Sequence, residues 1–406
     1  MGEVSFHAFL APGDPMNETI SLPPIPPLPP PLPLASRPPA LPSDIRFTGR
    51  RSDFLRLVMR GALLELVTVG FYRFWLATDM RRHLWSNTSV NGDAPEYTGT
   101  AKELLIGFLF ALAILAPIYL VYFLIGLEAE RLQAFASVPL GLFFYLFAQF
   151  AIYRARRYRL TRTVWRGVRF WMTGSGVSYA WRAGLWGLLV VLTLGLALPW
   201  ARASLERYKM RHTAYGDLHG RFEATGGQLF RRGWWLWLLA WPSLFLLLPL
   251  PFIYAAFKAI EWRWWLDGIR MGKVSLKSDL SNGALIDLYW LVIGWFVLLV
   301  LGLSMWFAVV LGLGYAQTNP TAQTAQRVMM ASQQIPVLVA LGVGYIGVAL
   351  ASGAVMRVYL MRDLWQRVAG SVTVHNLAAA DNVAARGDTV SALGEGFANS
   401  LDVTGF

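Results

Sequence analysis

The sequence predicts a mainly α-helical, polytopic membrane protein, built from internally repeated strand–cap–helix units, with a possible small cytoplasmic β-sheet. Three observations lead to this prediction. Of the 406 residues, 55% are hydrophobic and only 15% are charged, whereas soluble chains carry about 25% charged residues. Apolar runs of about 20 residues, the length that crosses a bilayer core of about 30 Å, recur along the chain. Strand-like pieces precede five of these runs.

The charge and residue usage narrow the class further. The formal net charge is +12, and the basic residues stand next to apolar runs. This position favours cytoplasmic loops and binding to anionic phospholipids, over binding to nucleic acid, as the explanation of the positive charge. The 18 Trp and 15 Tyr suit interfacial belts. Since the chain has no cysteine, disulfides and thiolate metal sites are excluded. The first ten residues lack a basic region followed by an apolar core, so we expect no cleavable signal peptide.

Both ends of the chain are predicted to lie outside the membrane domain, which we place at 46–375. Residues 1–45 are rich in proline, which lacks an amide donor and has a fixed φ, so we expect a disordered polyproline II spacer. Its PxxP pattern leaves open that the tail binds a protein partner with an aromatic groove. Residues 376–406 are predicted to form a short polar tail.

Seven apolar segments are the candidate membrane helices. In order, they are 54–78, 104–127, 135–153, 183–203, 234–257, 284–315 and 335–359. The fifth segment is interrupted by Pro242, Pro249 and Pro251. The sixth is long enough that it has to tilt or kink.

The strand-like pieces follow one design. An aromatic or β-branched piece ends at a glycine or a small residue, and Ser, Thr or Asp then caps the amides of the next helix. The pieces centre on Phe47, Tyr97, Phe170, Phe222 and Val274, and a sixth piece spans 371–375.

A longer repeat relates residues 67–85 to residues 192–210. Each copy has an apolar helix, a glycine, an aromatic–Trp pair and then a basic stretch. In register, Gly70 aligns with Gly195, Trp75 with Trp200 and Arg82 with Arg207. We interpret this match as a duplication that relates about 46–103 to 168–233.

Several of these motifs resemble a known bacterial inner-membrane family of unknown function, typified by YjgN. The motifs are FTGRRSDF, VTVGFYRFW, EYTGTAKELLIGF, RYRLTRTVWRGVRF and LGEGFANSLDVTGF. They occur in this order over roughly residues 46–406. The resemblance implies an inner-membrane location and a helical architecture, and it carries over no catalytic residue.

The distribution of basic residues predicts the topology. Five Arg- and Lys-rich segments, 80–103, 154–182, 204–233, 258–283 and 357–370, are expected in the cytoplasm. The short 128–134 and the polar 316–334 are expected in the periplasm. Seven ordinary spans would put 204–233 outside, against the charge rule. The alternative is that segments 54–78, 183–203 and 234–257 are re-entrant, and both models stay open.

Three residues form a possible intramembrane polar site: Glu65, Arg60 and Asp287. A carboxylate inside an apolar helix is costly and often functional, and Arg60 is a candidate counter-charge for Glu65. The competing interpretation is that Glu65 faces head groups or a structural arginine. Asp287 lies in the first turn of its helix, where an acid stabilises the helix dipole.

A set of basic and aromatic residues at apolar boundaries is predicted to anchor the protein to lipid head groups. Its members are Arg154, Arg156, Arg157, Arg159, Arg162, Arg166, Arg169, Trp165, Trp262 and Arg263. Their position beside membrane helices favours this role over nucleic-acid binding.

We expect no catalytic residues, no cofactor and no metal. His212 and His219 flank Asp217, but a metal site needs three or four converging ligands. Phosphate-binding and hydrolase motifs are missing from the sequence. The leading hypothesis is therefore transport of a small solute, ion or lipid, since repeats and broken helices are typical of transporters. The alternative is a non-catalytic envelope scaffold or regulator whose proline-rich arm binds a partner.

Overall fold

The computed structural model describes residues 43–128, 133–246, 249–318, 321 and 323–386. Nearly all of the predicted proline-rich tail, residues 129–132 of the first predicted periplasmic segment, and residues 387–406 of the predicted polar tail therefore lie outside the described residues.

The chain is mostly helical and consists of five successive units, each a strand, a hairpin of helices and a returning strand. The ten strands are β1 Ser43–Phe47, β2 Thr88–Val90, β3 Glu96–Tyr97, β4 Thr163–Trp165, β5 Val168–Met172, β6 Thr213–Tyr215, β7 Leu218–Phe222, β8 Ile269–Met271, β9 Val274–Ser278 and β10 Val372–His375.

The helices of the first four units are α1 Arg51–Val67, α2 Arg73–Ser86, α3 Ala101–Glu128, α4 Gln133–Thr161, α5 Gly176–Leu192, α6 Leu198–Arg211, α7 Gly226–Leu246 and α8 Leu250–Gly268. The fifth unit has α9 Ile286–Ala316, α10 Thr324–Ser332, α11 Ile335–Val355, a π-helical segment Met356–Asp363 and α12 Leu364–Gly370. A 3₁₀ turn, Leu377–Ala380, follows β10.

All ten strands form one curled antiparallel sheet in the order β2-β1-β10-β9-β8-β7-β6-β5-β4-β3. The last strand pairs with the first, Val374 opposite Ser43, so the two ends of the described chain meet in the sheet. The sheet is open between β2 and β3, where only an isolated bridge joins Val90 to Asp93. Pro95 immediately precedes β3, and a proline cannot donate to a strand ladder.

All six predicted strand-like pieces lie on strands, and the sheet adds four strands that the pattern did not indicate: β2, β4, β6 and β8. These are three residues long, and each follows a helix directly or after one residue. Such short strands have too few residues to show a two-residue alternation. In the longer β10, Val372 and Val374 are buried and the intervening Thr373 is not.

Two of the apolar segments predicted as single helices are helical hairpins, which corrects the assignments 54–78 and 183–203. The first breaks after α1 at Val69 and Gly70, with φ of 52° and 87°, and the second after α5 at Leu194 and Gly195, with φ of 50° and 90°. These left-handed conformations end a helix. The predicted segment 234–257 also divides, because α7 ends at Leu246 and α8 begins just after Pro249.

The same contacts recur around the two glycine turns. The hydroxyl of Thr68 donates to the carbonyl oxygen of Leu64 and accepts from the amide of Tyr72. The hydroxyl of Thr193 likewise donates to Leu189 and accepts from the amide of Ala197. Further along, Arg82 donates to the carbonyl of Gly99, and Arg207 donates to the carbonyl of Ala224. The positions aligned from the sequence thus make matching hydrogen bonds.

The predicted helix caps are found at three helices and not at two. Ser175 caps α5, Thr100 accepts from the Glu103 amide at the start of α3, and Thr225 and Gln228 form a reciprocal capping box at α7. At α1 and α9, by contrast, the residues before the helix, Arg50 and Leu285, make no side-chain cap. Helix α9 begins only after a turn at 282–285, several residues beyond the end of β9 at Ser278.

Four helical stretches are long and apolar enough to cross a membrane, judged by length and composition: Ala101–Leu124, Val138–Thr161, Ile286–Ala316 and Ile335–Gly370. They belong to the second and fifth units, so each of these units contains a pair. Few residues of α9 are buried inside the protein, so most of its apolar side chains face outward.

Candidate functional site

The second helices of the hairpins converge above the sheet and surround two adjoining chambers. Both chambers are lined by helices α4 and α8 and by the stretch from the π-helical segment into α12. Helix α6 lines only one of them. Each of these helices contributes residues from its C-terminal part, such as Arg159 of α4, Lys209 of α6 and Trp265 of α8. The strands bring these helix ends together, because the second helix of every unit leads into the same sheet.

The first chamber, called here the cationic chamber, has a volume of about 420 Å³. This is within the range of small-molecule sites, about 300–1,000 Å³. Its lining residues are Ile152, Arg156, Arg159, Tyr179, Arg202, Leu205, Glu206, Lys209, Lys258, Glu261, Trp262, Trp264, Trp265, Tyr289, Leu360 and Leu364. Five of these side chains are cationic and two are carboxylates, so the lining has an excess of positive charge.

Each carboxylate of the cationic chamber contacts two cations. Glu206 accepts from Arg156 and from Lys209, both at 2.6 Å. Glu261 lies 2.7 Å from the Lys258 ammonium and 3.4 Å from Nε of Arg202. Three helices, α4, α6 and α8, are therefore joined by ion pairs across the chamber wall.

The Glu206 carboxylate is buried, with only 6% of the residue exposed. Burial by itself raises the pKa of this group, but the Arg156 guanidinium and the Lys209 ammonium outweigh burial and lower its pKa to about 2. Glu206 is therefore ionised at any physiological pH. A buried charge of this kind is stable only because its partners are held in place.

The second chamber, called here the apolar chamber, has a volume of about 350 Å³ and lies between the helix ends and the sheet. Its lining includes Ile45, Leu276 and Val372 from the strands. Trp85 and Trp365 stack at its wall, with ring centroids 5.3 Å apart.

The two chambers share a wall. The residues that line both are Arg156, Arg159, Trp262, Trp265 and Leu364. The guanidinium of Arg156 lies over the Trp265 ring, 5.9 Å from its centroid, which is a cation–π contact. Both carboxylates and three of the five cations line only the cationic chamber, whereas Arg156 and Arg159 reach the apolar chamber as well, whose other lining residues are mostly apolar.

The predicted intramembrane polar site is not assembled as expected. Glu65 forms an ion pair with Arg357 of the π-helical segment, at 3.1 Å, and the role of Arg60 and Glu65 in an intramembrane site stays a prediction. The tertiary fold brings in a partner from the far end of the chain, which sequence neighbours cannot indicate. This contact matches the competing interpretation, in which Glu65 faces a structural arginine.

Asp287 lies in the first turn of α9, as predicted, and accepts from Arg367 at 2.5 Å and 2.7 Å. It thus takes part in a surface ion pair with α12 and has a different partner from Glu65. The structure therefore does not join Glu65, Arg60 and Asp287 into one ion-pair network.

Several arginines of the predicted lipid anchor form ion pairs or hydrogen bonds within the protein. Besides Arg156, three arginines of the stretch have such partners: Arg162 pairs with Glu103 at 2.7 Å, Arg166 pairs with Asp93 and Asp381, and Arg169 donates to the carbonyl of Thr161. Outside the stretch, Arg263 donates to the carbonyl of Leu280 and to Asn282. Binding of this set to lipid head groups stays a prediction.

Helical spacing could have indicated the chamber-facing sides of α6 and α8, of which the sequence analysis singled out only Trp262. Lys258, Glu261, Trp262 and Trp265 are spaced i, i+3, i+4 and i+7, and so are Arg202, Leu205, Glu206 and Lys209. This spacing puts each set on one face of its helix. A polar stripe on that face is easily taken for a solvated surface, because the sequence does not show that the two faces meet.

The fold and the site define a class: a mostly helical protein with four membrane-length apolar helices, a curled antiparallel sheet and a cation-rich chamber lined by helices. The chain belongs to a family described as bacterial protein of unknown function (DUF898), whose model matches residues 42–256. This confirms the family resemblance found in the motifs. No curated protein and no solved structure matches the chain.

Proposed function

We propose that the chain is an integral protein of the bacterial inner membrane, inserted from the cytoplasmic side, that binds a small solute, ion or lipid in the cationic chamber and moves it across the membrane. The observation on which this rests is the chamber itself, lined by helices in a protein whose membrane-length helices are apolar on the outside. Binding sites between packed helices are common in membrane proteins of this kind.

The connection of hairpins to strands supports insertion from one side. Every hairpin starts and ends at a strand of the same sheet. The four spanning candidates form two complete hairpins, so two pairs of crossings return the chain to the side from which it started. The Arg- and Lys-rich segments adjoin the sheet, which agrees with a cytoplasmic sheet under the positive-inside rule.

The three shorter hairpins are proposed to be re-entrant. At the tips of the first two of these hairpins, the turns and adjoining helix ends carry exposed apolar residues, among them Val69 at 88% and Val191 and Leu192 at 71% each. Water does not favour such a surface, whereas a lipid environment does. The backbone at the two glycine turns keeps its hydrogen bonds, as insertion requires.

We also propose that the first and third units arose by duplication. The matching glycine turns, threonine bridges and arginine-to-carbonyl bonds described above support this relation. A duplicated unit that forms a hairpin adds an even number of membrane entries, so the orientation of the following chain is preserved.

The transport proposal is tested with the purified full chain in liposomes. The panel consists of radiolabelled phosphate, short-chain carboxylates and head-group-labelled phosphatidylglycerol. We expect at least one probe to cross faster than in protein-free liposomes, and the double variant Arg202→Gln, Lys258→Gln to slow it. Rates equal to those of protein-free liposomes for the entire panel would overturn the proposal. No enzymatic reaction is part of the proposal.

A further inference from the structure

The shared wall between the two chambers points to a ligand with two unlike ends. The cationic chamber contains both carboxylates and all five cations, whereas the other chamber is lined mostly by aliphatic and aromatic groups and shares only Arg156 and Arg159 of the charged set. A purely ionic ligand would leave the apolar chamber unused. A purely apolar ligand would not need the buried charges, which are costly to maintain.

The charge of the lining selects an anionic head group. Five cations face two carboxylates in the cationic chamber, so the existing ion pairs leave positive charge in excess. Arg202 is held to Glu261 at 3.4 Å and its side chain is 52% exposed. This long contact occupies only its Nε, so the guanidinium has further donors in the fork geometry that suits phosphate and carboxylate oxygens.

The apolar chamber selects the other end of the ligand. Its walls combine strand side chains such as Leu276 and Val372 with the stacked Trp85 and Trp365. Removing an alkyl or aromatic group from water into such a space is favourable in proportion to the area buried. The chamber volume of about 350 Å³ is sufficient for a group of that kind.

We propose that the two chambers together bind an amphiphilic anion, with a phosphate or carboxylate head group in the cationic chamber and an alkyl or aromatic body in the apolar chamber. This assignment rests on the proposed function, for which it names the class of ligand. An anionic head group joined to an apolar body is found both in single-chain amphiphiles in solution and in membrane phospholipids.

Isothermal titration calorimetry on the purified full chain, in a neutral detergent, tests this assignment. The probes are octyl phosphate, inorganic phosphate and octyltrimethylammonium. We expect octyl phosphate to bind at least about tenfold more tightly than either of the other two, since each lacks one of the two recognised ends. Equal binding of inorganic phosphate would overturn the role of the apolar chamber, and equal binding of the cation would overturn the role of the charges.

A fourth probe, dihexanoyl phosphatidylglycerol, distinguishes the two sources of the ligand. Binding as tight as that of octyl phosphate supports a membrane phospholipid. Weaker binding supports a single-chain amphiphile. If neither anionic amphiphile produces a saturable binding signal, the proposal is overturned.

A matched pair of arginine variants locates the site. Arg202 lies in the chamber lining, whereas Arg232 lies outside it and makes a similar loose contact, 3.5 Å from Asp267 with 42% of its side chain exposed. We expect Arg202→Gln to weaken octyl phosphate binding about tenfold, the effect of losing one charge-assisted hydrogen bond. Arg232→Gln is expected to bind as the wild type does. Equal losses in both variants would contradict the assignment.

Filling the apolar chamber gives an independent measurement. Ala369 lines this chamber and is 8% exposed, so Ala369→Phe would occupy part of it. In this variant butyl phosphate and octyl phosphate should bind alike, while in the wild type the longer chain binds more tightly. A preserved chain-length dependence in a folded variant would overturn the proposal. Because these titrations need no membrane, binding can hold even if transport fails in liposomes, and the two results are separable.

Discussion

The Glu206 carboxylate shows how single residues stabilise the chamber wall. It is buried between Arg156 and Lys209 and remains ionised because their charges outweigh its loss of hydration. Removing one member of such a buried group leaves the others uncompensated, which costs about 3–5 kcal/mol. Exposed ion pairs contribute only about 0–1 kcal/mol, because water already solvates and screens their charges.

We therefore expect Glu206→Gln to lower the free energy of unfolding of the detergent-solubilised protein, at neutral pH, by about 3 kcal/mol or more. The control is Glu223→Gln, because Glu223 also pairs with an arginine, Arg270 at 3.0 Å, but its side chain is 60% exposed. The control should change the free energy of unfolding by less than about 1 kcal/mol. Equal effects in differential scanning calorimetry would show that Glu206 is not part of a buried network.

The pKa of Glu206 also predicts a pH dependence. Its folded-state pKa of about 2 is below the ordinary value of 4.5, so the folded protein favours the ionised form. The contribution to stability is complete above pH 4.5, decreases as the pH falls, and is lost near pH 2. Unfolding temperatures measured across this window should fall more steeply for the wild type than for Glu206→Gln.

The helical hairpins depend on a few backbone positions in their turns. At Gly70 the backbone has φ of +87°, a conformation that glycine adopts without strain and that residues with a Cβ adopt at a cost. A Cβ at Gly70 would meet no atom within 4 Å. Any loss of stability from adding one is therefore due to backbone conformation alone.

We expect Gly70→Ala to destabilise the protein by about 1 kcal/mol. Gly312, inside α9, provides the opposite case, because its Cβ would also meet open space but its backbone is helical. Gly312→Ala should be neutral or stabilising by up to about 1 kcal/mol. The two variants are compared by thermal unfolding in the same detergent, and a destabilisation of equal size in both would refute the role of the turn.

The helices and strands also show where local sequence patterns stop being informative. The pieces around Phe170 and Phe222 were recognisable as strands because they contain aromatic residues and precede a capping residue. The strands β2, β4, β6 and β8 were not recognisable, since three residues after a helix have no periodicity of their own. Their pairing depends on neighbours, such as Trp171 opposite Ala214, that are far apart in sequence.

For the molecule as a whole, the proposed insertion predicts that chain segments adjoining the sheet share one side of the membrane. Because each hairpin starts and ends at the sheet, loops between units should all be cytoplasmic, and only the tips of the two long hairpins should be periplasmic. The absence of native cysteine makes this topology directly measurable with single introduced cysteines.

We expect cysteines at four positions near the sheet, Ser86, Ser178, His219 and Lys277, to be protected from a membrane-impermeant thiol reagent applied to spheroplasts. A cysteine at Thr324, between the long helices α9 and α11, should be labelled. All five positions are exposed in the structure, and labelling after permeabilisation controls for accessibility. External labelling at His219 together with protection at Ser178 would refute insertion from one side.

Local chemistry was enough to indicate a helical chain with apolar segments, the strand preceding each hairpin, the family and the aligned glycine turns. These properties depend on composition, on periodicity and on residues close together in the chain. Packing alone revealed that Glu65 pairs with Arg357, that the last strand pairs with the first, and that polar faces of α4, α6 and α8 enclose a chamber. Each of these contacts joins residues distant in sequence, and a pattern along one segment does not specify which surface it will meet.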